Sequence, residues 1–246
     1  MTELMKNYRE RKSEILNVLK LLKNIDKCIA SSGRAILSAK LSTPPSYQIN
    51  AVQQKILYSS IYLMLYNLVE GTVNQCIAEL LLACKHHAKF PINLSPKLLD
   101  MWINDTAGVT KEINEKARAK KVRNLFDIVS NGSDITEWEI SKGGGGKWRH
   151  TEIKSYCEKI GLELRIPRRT LRAINRHIKD DKGVLGMVVD LRNKLAHGDI
   201  SFAQCAASVV YRDLVSFCWV VFKYLESVVS NFGQYIDSKK YLKEDP

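Results

Sequence analysis

No two of the six cysteines (Cys28, Cys76, Cys84, Cys157, Cys205 and Cys218) stand at CxxC spacing. That removes the common redox and zinc signatures. Most of the six sit in apolar helical stretches, so buried free thiols in a reducing compartment are expected. Long apolar runs are missing too. None reaches the ~18 residues without a polar break that a membrane span needs, and no membrane partner is expected. Met1-Thr2-Glu3-Leu4 opens the chain without an apolar signal core, which points to the cytoplasm. Acidic residues are short in number: 26 against 38 Lys and Arg, for a formal net charge of +12. Such an excess favours polyanions, because binding one releases its condensed counterions. It speaks to association and not to a site, and a basic protein with no nucleic-acid role has the same composition.

Several chemical signatures fail on inspection. Gly143-Gly144-Gly145-Gly146-Lys147 invites a phosphate-loop reading, which requires G-x4-G-K-[S/T]. Trp148 follows Lys147 and Ser141 stands five before Gly146, so the pattern breaks at both ends and a plain flexible loop is expected. Cys84, His86 and His87 lie together, but four-ligand zinc needs a second pair at matching spacing, and none is seen. No clustered carboxylates suggest a two-metal centre. Neither a metal nor a cofactor is expected.

What is present is helical patterning on a chain of 246 residues, 45% of them apolar, enough to bury a core. Ile15, Leu16, Leu19, Leu22 and Ile29 recur at helical spacing over residues 3–30, with a stop at Ser31-Ser32-Gly33. Ser42-Thr43-Pro44-Pro45-Ser46 reads as a linker. The strongest signal runs from about Ile49 to His87, apolar nearly all round between Ile56 and Leu68, which predicts a central, buried helix. Phe90-Pro91 ends it, and Pro96 permits a short helix toward Trp102. Residues 111–130 are charged and helix-prone, with Lys116, Arg118, Lys120, Lys121 and Arg123 close together; this is a solvated face or an RNA-contacting patch, with no aromatic interleaved. Asn131-Gly132-Ser133-Asp134 reads as a turn. A helix is expected from His150 to Ile160, ending at Gly161. A short extended piece follows from Leu162 to Pro167. Helices are expected to resume near Thr170, from Val184 to about Ala196, and from Phe202 to Val229. The fold class is all-α: one domain over 1–246, with an N-terminal helix and linker (1–45), a loop-rich insertion (131–169), and a motif helix with a C-terminal core helix (183–230).

Two polar clusters stand out against the apolar pattern. Asn67, Glu70, Gly71 and Asn74 fall at i, i+3, i+4 and i+7, on one helix face. A carboxylate there either faces solvent at the bundle edge or meets a cation inside. The second cluster is Arg192-Asn193-Lys194-Leu195-Ala196-His197, closed by Gly198. Asn193 and His197 are i, i+4 neighbours, and Arg192 lies to the side, with a guanidinium long enough to swing toward the histidine. A helix C-terminus favours positive charge. The cluster supplies an imidazole, a permanent cation that forks onto phosphate, and an amide to orient either one. On spacing alone, a surface helix end with a satisfied histidine fits as well.

The run Leu191–Gly198 resembles the HEPN signature, Arg-Asn-x3-His, at all three signature positions, and Leu-Ala-His-Gly is a common form of it. Tyr62-Leu63-Met64-Leu65-Tyr66-Asn67-Leu68-Val69-Glu70 resembles the earlier helix of the MAE type of HEPN-like nuclease. The Gly-rich loop and the helix through Gly161-Leu162 resemble that type also, departing from it at Lys147-Trp148. The resemblance spans about residues 50–230. It implies a bundle of HEPN type with long central helices and a Gly-rich loop insertion, and a metal-independent endoribonuclease working as a homodimer. Arg192 and His197 would form the catalytic pair, oriented by Asn193. The implied products carry a 2′,3′-cyclic phosphate and a 5′-hydroxyl.

The chemistry agrees with that implication, because RNA carries its own nucleophile and a protein need only manage protons and charge on phosphorus. Glu70 joins the catalytic candidates as the group that would set Arg192. Asn67, Lys194, Lys147 and Arg149 are the candidate substrate contacts. The expected partner is RNA, tRNA or mRNA, and the expected role is a toxin or antiphage effector restrained by an antitoxin or sensor ATPase. Two other readings stay open: a non-cutting RNA- or nucleotide-binding HEPN module that regulates a partner protein, and a structural helical adaptor.

Overall fold

Helix-forming patterns dominate the sequence, and helices dominate the computed structural model of the chain. The structure describes residues 3–38, 46–107, 115–132, 135–140, 148–177 and 182–243. In chain order the helices are α1 (Glu3–Ser32), α2 (Ala51–His87), α3 (Pro96–Ala107), α4 (Glu115–Ser130), α5 (His150–Lys159), α6 (Arg168–Ile174), α7 (Val184–Ala196), α8 (Phe202–Cys205) and α9 (Tyr211–Asp237). A 3-10 turn, Pro91–Asn93, precedes α3. The strands β1 (Ala35–Ser38) and β2 (Ser46–Ile49) form an antiparallel ribbon that pairs Leu37 with Tyr47. The fold is all-α in class, with this ribbon as its one sheet among the described residues.

The chain divides into two units. The first takes Met1–Met5, Gly71–Ile166 and Ser227–Pro246. Its buried residues include Leu80, Leu98, Trp102, Trp138, Trp148, Tyr156, Phe232 and Tyr241. Trp148, which departs from the expected pattern, meets Tyr156 edge-on at 5.9 Å between ring centroids. That geometry suits the ring quadrupoles and gives Trp148 a packing role. Two aromatic polar atoms are tied down here: Trp138 Nε1 donates to Asp105 at 3.3 Å, and the Tyr235 hydroxyl donates to the Ile160 carbonyl at 2.6 Å.

The second unit takes Lys6–Glu70 and Pro167–Glu226. Ile15, Leu19, Leu22 and Ile25 form the buried stripe of α1, at spacings of four and three. The Tyr8 hydroxyl donates to the Phe222 carbonyl at 2.7 Å, tying α1 to α9. In α2 the buried positions Tyr58, Ile61, Tyr62, Leu65, Tyr66, Leu68 and Val69 face this unit's core.

Three expectations need correction. The helix expected to be central and buried keeps an open stripe at Ile56, Ser60, Leu63, Asn67 and Glu70, of which Ile56 and Asn67 are exposed. The segment read as a linker contributes Ser46 to β2; the rest of it lies outside the described residues. The helix expected from Phe202 to Val229 breaks in two. Ser201 and Gln204 close a capping box that gives α8 its own start. The chain then turns at Ala206–Ser208 before α9 begins at Tyr211.

All six cysteines are free thiols, four of them buried. Burial pushes Cys84, Cys157 and Cys218 up to about 12. These thiols are inert packing groups at neutral pH. No helix among the described residues is long and apolar enough to cross a membrane.

Leu65 is fully buried on α2 beside Tyr66. Leu65→Ala is expected to cost about 3 kcal/mol by removing buried methyl groups and leaving a cavity. Equilibrium urea unfolding of the two proteins checks this.

Candidate active site

α7 forms because its apolar residues recur on one face. Leu185, Val188 and Leu195 are buried at positions that step by three and by seven, and Arg192 fills the missing place between them. The register of a core residue is therefore taken by a permanent cation. The helix starts at Gly183, where a Cβ would come within 2.7 Å of the Ile174 carbonyl oxygen, so only glycine fits that close approach. Lys182 and Asp190 form an ion pair beside it.

The far end of α7 is a Schellman motif. The Gly198 N–H donates to the Leu195 carbonyl at 3.4 Å, and the Asp199 N–H donates to the Lys194 carbonyl at 2.9 Å. Gly198 takes φ +76°, left-handed backbone that other residues resist. His197 is the C-cap, and its backbone N–H donates to the Asn193 carbonyl at 2.9 Å. Its imidazole is exposed. Among the described residues it makes no side-chain hydrogen bond or ion pair, so it is open to a ligand.

Arg192 is held on the opposite principle. Its guanidinium carbon lies 4.3 Å from the centre of the Tyr66 ring. One of its terminal nitrogens donates to the Asn193 side-chain oxygen at 2.9 Å. Tyr66 is 1% exposed and hydrogen-bonds the Glu70 side chain one turn later on α2. The Tyr66 hydroxyl is raised from its ordinary value, first by burial and then by the Glu70 charge, with Arg192 opposing. It therefore stays a neutral donor to the carboxylate through neutral pH. Glu70 reaches Arg192 through the Tyr66 ring and not by an ion pair. The guanidinium lies on that ring, although its reach allowed a swing toward His197.

The candidate residues do not all gather. Arg192, Asn193, Glu70 and Tyr66 are in one network. His197 and the exposed Lys194 are on the same helix end, and exposed Asn67 follows Tyr66 on α2. Arg149 belongs to the first unit, as the N-cap residue of α5. Lys147 and the Gly143–Gly146 loop lie outside the described residues. Sequence reasoning missed Tyr66; its i, i+4 spacing to Glu70 was the available signal. No group of three or more His, Cys, Asp or Glu among the described residues is arranged to hold a metal ion. Of the failed zinc pattern, His87 Nδ1 meets the Ala83 carbonyl and the Tyr241 hydroxyl instead.

A family model for MAE_28990-like HEPN domains matches residues 1–241. The chain belongs to this HEPN family. The match runs through both units and includes the helix of Tyr66 and the helix of Arg192. No curated protein and no solved structure matches the chain. HEPN domains are nuclease-like or RNA-related modules, and in general they are ribonucleases. In this HEPN domain the signature arginine is packed on an aromatic ring, and the signature histidine is presented at a glycine-closed helix end.

Gly198→Ala tests that presentation. A Cβ there would meet nothing within 4 Å, so the cost is backbone strain alone, about 1 kcal/mol. Thermal unfolding should show this loss, and nuclear magnetic resonance should show the change centred on His197 and its neighbours.

Proposed function

We propose that the protein is a metal-independent endoribonuclease whose reacting groups are Arg192 and His197. The observation that carries this reading is the pairing of an exposed imidazole with an immobilised guanidinium at one helix end of a HEPN domain. In the proposed reaction the RNA 2′-oxygen attacks the adjacent phosphorus and loses its proton. The phosphorus–5′-oxygen bond breaks, and the leaving 5′-oxygen gains a proton. The products are a 2′,3′-cyclic phosphate and a 5′-hydroxyl, and no outside nucleophile is consumed. His197 moves the proton at one of these two oxygens. Arg192 binds the non-bridging oxygens, where negative charge builds in the transition state. Asn193, and Tyr66 backed by Glu70, position the guanidinium. Asn67 and Lys194 are the nearby side chains of this unit offered to the sugar-phosphate chain. DNA lacks the nucleophile and resists this route.

The working form in this reading is a homodimer, which pairs two motifs across one cleft, and C2 pairing is the commonest oligomer. A growth-arresting role in defence follows from uncontrolled RNA cleavage, with restraint by an antitoxin or a sensor ATPase. A module that binds RNA or nucleotide without cutting it has the same family and the same basic charge. The intact arginine, asparagine and histidine favour the cutting reading.

Purified protein incubated with total RNA in EDTA should leave cyclic-phosphate and 5′-hydroxyl ends. His197→Ala and Arg192→Ala should each lower the rate by roughly 10²–10⁴-fold, the usual contribution of such groups. RNA left intact by wild type under every activating condition, or equal cleavage by His197→Ala, would refute the reading. Tyr66→Leu should lower kcat at least tenfold, because the guanidinium loses its ring. Tyr66→Phe keeps the ring and should keep most of the rate. Single-turnover kinetics at saturating RNA separate these effects from binding.

A further inference from the structure

α4 is the most basic helix of the first unit, and no residue on it is buried. It carries Lys116, Arg118, Lys120, Lys121 and Arg123 against two carboxylates, Glu115 and Asp127. Among the described residues none of these five cations takes part in an ion pair. No aromatic residue interleaves with them, but one follows a turn after the last of them. Phe126 is 64% exposed, and Val122 and Val129 are exposed beside it at 38% and 58%.

The faces of the helix can be laid out at 100° per residue. Ala117, Lys121, Leu125 and Ile128 are half-buried on the side that packs against α3. Next comes the exposed row of Arg118, Val122, Phe126 and Val129. Beyond that lies the row of Lys116, Lys120 and Arg123, with Asp127 at its end. Arg123 is three residues before Phe126, on adjoining positions. The exposed ring thus adjoins the cation row on one side, with Arg123 one turn before it.

A membrane surface fits this pattern poorly. An interfacial helix sinks a continuous apolar face below the headgroups, and Arg118 heads the row that would have to sink. A single-stranded nucleic acid fits it well. Cations track the backbone phosphates while an aromatic ring stacks on a base, and such surfaces tolerate any sequence. We propose that α4 is a docking surface for single-stranded RNA, with Lys116, Lys120 and Arg123 on phosphates and Phe126 stacked on a base. The choice of RNA rests on the ribonuclease reading; the recognition of a polyanionic strand rests on the charge and exposure of α4 itself.

The test measures binding apart from cleavage. Fluorescein-labelled oligouridine of about 20 residues is titrated with full-length His197→Ala protein in EDTA, and anisotropy is read from about 50 to 300 mM salt. In that background Lys116→Gln/Lys120→Gln/Arg123→Gln should weaken binding at least tenfold. It should also lower the salt slope by about 2, at about 0.7 for each single-strand phosphate that the protein no longer neutralises. Phe126→Ala should weaken binding about fivefold or more and leave the salt slope unchanged, as expected for stacking. Circular dichroism should show both variants folded, since the replaced side chains are not buried.

Unchanged affinity in the folded triple variant overturns the proposal. So does binding to phosphatidylserine vesicles that depends on Phe126 while RNA binding does not. RNA cleavage that needs His197 but is indifferent to α4 leaves the ribonuclease reading standing and removes this surface. RNA binding that needs α4, with no cleavage by wild type, supports this surface and removes the ribonuclease reading.

Discussion

A permanent cation at a core position is the constraint on which the candidate site depends. Arg192 sits in the register of Leu185, Val188 and Leu195, where α7 buries apolar side chains. A guanidinium cannot escape the cost of burial by losing its proton. It needs a partner that accepts positive charge without requiring water. The Tyr66 face does this, at 4.3 Å. A contact of this kind contributes about 0.5–2 kcal/mol, more as water is excluded. Glu70 strengthens it from behind. Accepting the Tyr66 hydrogen bond shifts electron density toward the phenol ring, since linked hydrogen bonds polarise one another. The carboxylate acts on the cation without neutralising it through contact.

That indirect arrangement bears on chemistry. A direct carboxylate–guanidinium fork would occupy the donors that a phosphate needs. The contact with the Tyr66 ring uses the charge of the guanidinium and occupies none of its N–H donors with a hydrogen-bond acceptor. Asn193 takes one of those donors. The remaining donors can meet two oxygens of a phosphate. His197 obeys the contrary rule, with a backbone locked by the Schellman motif and an imidazole open to solvent. One group is held rigid and the other is exposed, which suits charge stabilisation and proton transfer respectively.

The helix carrying this site was legible in the sequence for simple reasons. The apolar register and the terminal glycine of α7 are local signals, and they located Val184–Ala196 closely. The Asn67–Glu70 anomaly was legible as well, as polar residues on an apolar pattern. Its partner was not. Tyr66 reads as one more core aromatic, and only tertiary contact shows that its face carries charge while its hydroxyl serves Glu70. The ribbon Ala35–Ser38/Ser46–Ile49 escaped because its strands have four residues each and leave Ile36, Leu37 and Tyr47 exposed, so no alternation marks them. The start of α8 had a readable signal in Ser201 and Gln204; the turn at Ala206–Ser208 that separates it from α9 carries no glycine or proline to mark it.

The excess of 38 basic over 26 acidic residues now has a partial physical location. It is not concentrated at the motif, where Arg192 is absorbed by Tyr66 and Asn193 and only Lys194 adds a further exposed cation. α4 holds five cations along 16 residues, on a helix that contributes no buried side chain. A helix with so little packing of its own is stabilised weakly by the core. Unpaired like charges spaced a turn apart destabilise it further. An anionic strand laid along it would relieve that repulsion. In the proposed docking of a polyanion, free energy lost in the isolated helix would return as affinity, at a surface separate from the Arg192–His197 motif.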